Sequence, residues 1–384
     1  MKKLAAAAAI LALTCARKAP SPQRPASPPP APPNLLELTR GASVVSRTGE
    51  ALLVTSAVRA IDGDNLTEWI SPPDNPKQTL TFSLPARARI EQVGITTAAK
   101  KENAIASAKF ELSVDGVHYA DAGTFSIKPS RDAQLFRIAP QIAQYVRVTS
   151  LAGHSAYLAV NTVHAVGRFV DAPRIAPIDG SWTINDMSGS FAGAYGNVGD
   201  FALQGGGNRF AWIRPNGEYG LAFLTVTPDG KHLSGIVWHE QAIQAQQFWA
   251  DDWLGDSRGG QAPAPVRTGG APVLHSYLER FGYFPLYGLR FDDAGHLDEP
   301  ASAATLDEIA PLIKEKTRFV AHELIRDPGI TKTELESLRG ALVKRGVDLN
   351  GVEFLPMGNR DPRRPAATDL TRAMYSTVEI QIRR

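Results

Sequence analysis

Residues 60–72 read AIDGDNLTEWISP. Two aspartates flank a glycine, Asn65 and Thr67 follow, and Trp69 opens a short apolar step. Asp and Asn side chains accept from backbone N–H groups two residues on, and glycine admits left-handed backbone, so this order of residues makes a tight turn. The oxygens of Asp62, Asp64 and Thr67 are also the donors that a hard cation such as calcium takes. Two readings stand side by side: a hydrogen-bonded turn that delivers Trp69 to a core, and a cation loop.

The surrounding sequence is β throughout. TLTFSLP (79–85), IEQVGITT (90–97), AKFELSVDG (108–116) and QYVRVTSL (144–151) alternate apolar and polar positions, with turn residues between them. That spacing predicts an all-β sandwich over residues 35–170. In this order, AIDGDNLTEWISP, TLTFSLPARARIEQVGI, AKFELSVDGVHYADAG and QYVRVTSLAGHSAYLAVNTVHAVG resemble the coagulation factor V/VIII type C, or discoidin, domain, a galactose-binding-like jelly roll. Its carrying motifs are Asp62-Gly63-Asp64 with Thr67 and Trp69, and Ser113-x-Asp115-Gly116. The resemblance implies a binding module whose ligand sits in loops at one end of the sandwich. It also implies a structural calcium at the Asp62 loop, completed by a glutamate near position 162, where this chain has Thr162. Sugar recognition needs an exposed aromatic beside polar groups; His118, Tyr119, His154 and Tyr157 are the candidates.

Residues 175–240 are rich in glycine and aromatics, with turns at Asn216-Gly217 and Asp229-Gly230, and predict a small β-meander or barrel. Gly180-x-Trp182 at its start faintly resembles a lipocalin-like barrel. GNVGDFALQGGG is no phosphate loop, because no Gly-Lys-Ser/Thr ends it. Residues 241–272, with Trp249 and Trp253, read as a loop and linker.

From 274 to 384 the period changes. YFPLYGLRF reads as a strand, ASAATLDEIAPLIKEK as a helix with Glu308 turned outward, FVAHELI as a strand, KTELESLRGALVKRG as a helix, and VEFLPMG and STVEIQI as strands. The order β-α-β-α-β-β, with LDEIAPLIKEK, LESLRGALVKRGVD and TRAMYSTVEIQI, resembles the OmpA-like peptidoglycan-binding domain. There an arginine on the second helix pairs with the carboxylate of diaminopimelate, and an aspartate after the second strand pairs with its ammonium. Arg339 stands at the arginine position. The family's Gly-His-Thr-Asp is Ala321-His322-Glu323-Leu324 here, its usual Asn is Lys332, and its closing Asn-Arg-Arg is Tyr375-Ser376-Thr377. Half of the charge clamp is absent, unless Glu323 or Asp327 substitutes.

The N-terminus carries an address. A basic MKK precedes eleven residues, LAAAAAILALT, and then Cys15, the single cysteine. The run is too short to span a bilayer, and it suits a signal peptide or lipobox over residues 1–18 with Cys15 as the lipidated residue. Thr14 departs from the Gly or Ala usual before such a cysteine; the plainer alternative is a secretory signal that discards Cys15. Residues 19–34 form a proline-rich linker that favours extended polyproline II, a spacer beyond a lipid anchor.

Enzyme signatures fail. In AHELIR the position four residues after His322 is Arg326, so the paired histidines of a zinc protease are missing. There is no Gly-x-Ser-x-Gly, and the pairs Asp251-Asp252 and Asp292-Asp293 read as solvated loop residues. Lys+Arg 41 against Asp+Glu 39 leaves a net charge of +2, without the basic face that a nucleic-acid binder needs. The sequence predicts a multidomain, non-enzymatic, exported lipoprotein. It would sit in the outer membrane facing the periplasm, or on the cell surface, with no cofactor beyond the calcium reading. Its expected partners are a glycan, the peptidoglycan peptide and the membrane through the lipid. The alternatives are an envelope scaffold for protein partners with a dead wall pocket, and a carbohydrate-binding accessory of a glycan-processing system.

Overall fold

The computed structural model describes residues 33–73, 77–97, 103–154, 157–240, 250–259, 272–322, 328–357 and 368–382. Cys15, the signal region and the proline-rich segment to residue 32 lie outside them, as do Glu323, Asp327, Trp249 and the segment 260–271.

The first seven strands are β1 (Ser43–Arg47), β2 (Trp69–Ile70), β3 (Thr79–Thr97), β4 (Ile105–Ser113), β5 (Ala120–Ser126), β6 (Gln134–Gly153) and β7 (Ala159–Phe169). They follow the order β2-β7-β3-β6-β4-β5. The long β3 branches: Leu80–Ser83 pair with β1, and Ala88–Thr97 pair with β7, with an irregularity between Ser83 and Ala88. Such a break bends the sheet over its own core. Alternate apolar residues point inward, among them Leu80, Phe82, Ile90, Val93, Phe110, Val146, Val148 and the fully buried Trp69. Asn34 ties the start of the described chain to β7, donating to the Val163 carbonyl at 3.0 Å and accepting from Ala165 N at 2.9 Å.

The middle segment is a closed up-and-down barrel of eight strands. These are β8 (Gly180–Ile184), β9 (Met187–Ala192), β10 (Tyr195–Val198), β11 (Phe201–Gly206), β12 (Arg209–Ile213), β13 (Tyr219–Val226), β14 (His232–His239) and β15 (Ala250–Ser257). The closing strand β15 lies in the stretch expected to be loop and linker. The barrel needs it, because β15 pairs both with β14 and with β8. Trp182, Trp212 and Trp253 fill the interior, and Phe201 meets the last two edge-on at 4.9 and 5.3 Å. Asp251 and Asp252 belong to this strand and are not solvated loop residues; Asp252 is buried.

The C-terminal segment opens with helix α1 (Pro272–Phe281), which the sequence did not announce. Then follow β16 (Tyr283–Pro285), α2 (Glu299–Ile309), β17 (Thr317–His322), α3 (Pro328–Lys344), β18 (Glu353–Pro356), α4 (Asp369–Tyr375) and β19 (Thr377–Ile382), in the sheet order β16-β19-β17-β18. Two corrections follow. The strand expected over YFPLYGLRF spans only three residues and gives way to a turn. The order β-α-β-α-β-β gains α4 before the last strand, started by Thr368, whose hydroxyl accepts from Thr371 N in a capping box. The OmpA family itself is not established by this arrangement.

The three parts share one core. On β13 the residues Ala222, Leu224 and Val226 fill the barrel, while Leu221 and Phe223 join the cluster that also holds Trp69, Tyr277, Tyr287 and Phe319. Barrel and helix seam are also bonded: Tyr277 OH donates to the Gly220 carbonyl at 2.6 Å, and Glu308 accepts from Tyr195 OH at 2.8 Å and Gln204 Nε2 at 2.7 Å. Glu308 therefore faces the barrel and not solvent. No helix among the described residues is long and apolar enough to cross a membrane.

Candidate functional site

The 60–72 stretch forms a turn around Asp62. Its Oδ1 accepts from Asp64 N at 2.9 Å, and Asp64 Oδ1 accepts from Leu66 N at 2.9 Å. Thr67 Oγ1 lies 2.7 Å from Asp62 Oδ2 and 2.9 Å from the Asp64 carbonyl. Gly63 takes a φ of +76°, which the turn requires. Trp69 donates its indole N–H to the Gly49 carbonyl at 3.2 Å.

Position 162 does fall against this loop. Thr162 Oγ1 donates to Asn65 Oδ1 at 2.9 Å, and Asn161 Nδ2 donates to the carbonyls of Asn65 and Thr67 at 3.2 and 2.8 Å. Hydroxyl and amide groups stitch the last strand to the turn where a carboxylate would have faced a cation. On the other side Arg59 Nη1 lies 3.6 Å from Asp62 Oδ2. Burial pushes the Asp62 carboxyl up to about 7, against the lowering effect of Arg59 and of the Thr67 and Asp64 hydrogen bonds. Thr67 Oγ1 donates to Asp62 Oδ2, so this oxygen of the carboxyl is already engaged within the turn. A guanidinium in contact and oxygens already engaged in the turn do not fit a calcium ion. Asp62, Asp64 and Thr67 come together as expected, but as a turn.

They also line a cavity of about 360 Å³, closed by Trp238 and Ala250 of the barrel and by Thr368 and Leu370 at the start of α4. Arg59 spans its base. Its Nη2 lies 2.5 Å from Asp252 Oδ1 and donates to the Ala250 carbonyl at 3.1 Å, and Ser56 N donates to Asp252 Oδ2 at 3.2 Å. Burial raises the Asp252 pKa, with Arg59 and Ser56 opposing. The loop of one module is thus bonded to the wall of the next.

The four sugar-site candidates separate into two pairs. His154 N donates to the Ala104 carbonyl at 3.3 Å, just before β4 begins, whereas His118 and Tyr119 follow the turn after β4 ends. A strand of nine residues lies between them, about 30 Å at ~3.3 Å per residue. At the far end Asp115 accepts from His118 Nδ1 at 2.8 Å and from Val117 N and His118 N, bonds that hold its carboxyl well below the usual range. Tyr119 carries Arg147 over its ring at 3.4 Å, so that face is taken. At the near end Tyr157 is 44% exposed and is the only exposed Phe, Tyr or Trp among the described residues. The base beneath it is fixed: Ser71 N donates to the Leu158 carbonyl at 2.9 Å, and Leu158 N donates to Ser71 Oγ at 3.0 Å.

Arg339 is exposed on α3, with its guanidinium 5.3 Å above the Phe354 ring. Phe354 in turn stacks on Phe319 at 5.2 Å. The residues proposed to complete a clamp, Glu323 and Asp327, fall outside the described residues. His322 is buried beside Glu379 at 3.3 Å, and groups of three or more metal-ligating side chains are absent among the described residues.

Residues 42–162 match the F5/8 type C domain. This is the sandwich, about a third of the chain; the barrel and the C-terminal segment lie outside the match. Among solved structures the chain is similar to CBM32-3 from a family 31 glycoside hydrolase of Clostridium perfringens, at 20% identity over 34% of this chain and 94% of that one, with a TM-score of 0.32. It is similar to the C-terminal domain of a chitobiase from Bacteroides fragilis, at 22% identity over 34% and 96%, with a TM-score of 0.32. It is also similar to the family 32 module of NanJ from C. perfringens in complex with galactose, at 17% identity over 34% and 97%, with a TM-score of 0.31. No curated protein matches the chain significantly.

Proposed function

We propose that the sandwich is a glycan-binding module of an exported, lipid-anchored envelope protein, and that Tyr157 is its stacking platform. One observation carries this: in a domain matched to the F5/8 type C family, the single exposed Phe, Tyr or Trp of the described residues stands on a loop whose base is pinned to Ser71, just beyond β2. A pyranose presents a C–H face to an aromatic ring and its hydroxyls to polar neighbours, and His154 supplies one such neighbour on the same loop. The protein acts by binding and has no catalytic role. Glycan arrays and calorimetry on the full chain, with galactose and N-acetylgalactosamine as first sugars, test the reading. Binding that Tyr157→Ala removes while the melting temperature stays within a few degrees supports it; arrays without a hit overturn it.

A second reading concerns the C-terminal segment, and the exposed Arg339 favours it. A guanidinium on a helix surface can take a carboxylate bidentately, and the diaminopimelate carboxylate of the cell-wall peptide is the ligand that fits an envelope location. Cys15 would hold the same chain to the membrane, so that the sandwich is displayed between lipid and wall. If the wall does not bind, the protein is an envelope scaffold or an accessory of glycan processing.

A further inference from the structure

Two cavities open where the barrel meets the C-terminal segment, of about 360 and about 520 Å³, and Arg290 lines both. The backbone at this arginine is fixed: its N–H donates to Ser302 Oγ at 2.8 Å, and its carbonyl accepts from Asp298 N at 2.8 Å. The guanidinium lies on a floor of glycine. A Cβ at Gly206 would stand 3.0 Å from Arg290 Nη2, and a Cβ at Gly207, whose φ is +62°, would stand 2.8 Å from both Nη atoms. Gly206 and Gly207, the last two of the GGG that the sequence excludes as a phosphate loop, leave the room this guanidinium occupies.

Among the described residues the Arg290 guanidinium makes no hydrogen bond and no ion pair. Burial lowers its pKa. Its neighbour Arg209 differs, since it donates to the carbonyls of Ala373 and Ser376 at 3.1 and 2.6 Å. Two carboxylates also line the space, Glu334 in the smaller cavity and Asp179 in the larger, and neither pairs with Arg290. The guanidinium, half-buried and without a protein acceptor among the described residues, turns its five donors to the cavities, where a ligand's oxygens can take them.

We propose that Arg290 anchors a carboxylate-binding site in this seam. The planar fork matches the two oxygens of a carboxylate. In the smaller cavity the formal charges of Arg290, Arg209 and Glu334 leave a net +1, which a monoanion balances, whereas a phosphate dianion would leave excess negative charge in a half-buried place. The remainder of the ligand would lie in the larger cavity, against Gly288, Ala301, Ala304 and the Thr305 side chain.

The test titrates the full chain with acetate, D-glucuronate and inorganic phosphate by calorimetry and ligand-observed NMR. Wild type is expected to bind the carboxylates saturably and phosphate not at all; Arg290→Lys should weaken binding roughly tenfold or more because it loses the fork, and Arg290→Met should abolish it. A second measurement separates a binding role from a structural one: Arg290→Met should melt at or above the wild-type temperature, since it removes an unpaired charge. Absence of saturable carboxylate binding, binding unchanged in Arg290→Met, a preference for phosphate, or a lower melting temperature in Arg290→Met would each overturn the proposal.

Discussion

Arg59 and Asp252 meet across the boundary between sandwich and barrel, with Nη2 2.5 Å from Oδ1 and both side chains almost wholly buried. Asp62 lies on the other side of the same guanidinium at 3.6 Å. One cation from the loop after β1 therefore holds an acid of its own turn and an acid of the barrel's closing strand. The two modules are matched by charge as well as by apolar surface.

Removing one partner from this arrangement leaves a buried charge without its counterpart. Asp252→Ala is expected to destabilise the protein by about 3–5 kcal/mol. Arg59→Met combined with Asp252→Leu should recover much of that loss, because it removes both charges. Urea unfolding of the single and double variants measures this, and a double variant as weak as Asp252→Ala would contradict it.

Asp62 gives a pH dependence with a definite sign. Its carboxyl is raised from 3.8 to about 7 by burial. The folded chain keeps a proton that the unfolded chain releases, so the contribution of this group is present at low pH and is lost as pH rises from about 4 to about 7. Asp62→Asn imitates the neutral acid. The stability of Asp62→Asn relative to wild type should improve by about 1–3 kcal/mol between pH 4.5 and 7.5. Unfolding midpoints across that range decide it, and a constant difference would show that Asp62 is charged in the fold.

The same geometry makes a prediction about metal. Thr162 stands where a carboxylate would complete a calcium site, and Arg59 touches Asp62. Millimolar calcium, or its removal by a chelator, should shift the melting temperature by less than about 1 °C, since a ligand stabilises only by its affinity for the fold. A rise of several degrees would restore the cation reading of Asp62, Asp64 and Thr67.

The sandwich was legible because alternation and turn residues act locally: Trp69 is buried and the 60–72 turn forms where its aspartates, glycine and asparagine demand one. The pairing of Arg59 with Asp252 was not, since 193 positions separate the partners and only tertiary packing brings them together. β15 was read as part of a loop and linker because ADDWLGD runs into SRGGQAPAPVRTGGAP, yet Asp252 is paired with Arg59 and Asp251 meets His239 at 3.0 Å. The shared core did leave a signal: YGLAFLTV is apolar on both faces, as a strand covered from two sides must be. α4 is seven residues long, too short for its period to stand out beside the strand it precedes. For the binding loops, His118 and His154 look equivalent in sequence, and only the length of β4 between them shows that they serve opposite ends.

The barrel depends on the tryptophan of that misread strand. Trp253 is fully buried, and Phe201 meets its ring at 5.3 Å. Trp253→Ala should cost about 3–5 kcal/mol through lost transfer energy and the cavity left behind. Because the barrel's outer face belongs to the shared core, the loss should lower the thermal transition of the whole folded part. Differential scanning calorimetry checks this; an early transition for the barrel alone would mean that the shared core does not couple the parts.

Arg339 allows a cleaner separation of binding from stability. Its guanidinium stands over Phe354 at 5.3 Å on an exposed helix face, a contact worth about 0.5–1 kcal/mol at such a site. Arg339→Ala should therefore lower the melting temperature by no more than about 2–4 °C. Against that small structural cost, co-sedimentation of the full chain with purified peptidoglycan sacculi becomes readable. Wild type is expected to pellet, Arg339→Ala to remain in the supernatant, and Arg339→Lys to recover little, because an ammonium cannot reproduce the two parallel hydrogen bonds. Equal pelleting of wild type and Arg339→Ala would move wall contact to another surface. If wild type itself stays in solution, the wall reading fails, and the proposed function rests on glycan binding by the sandwich and Tyr157 alone.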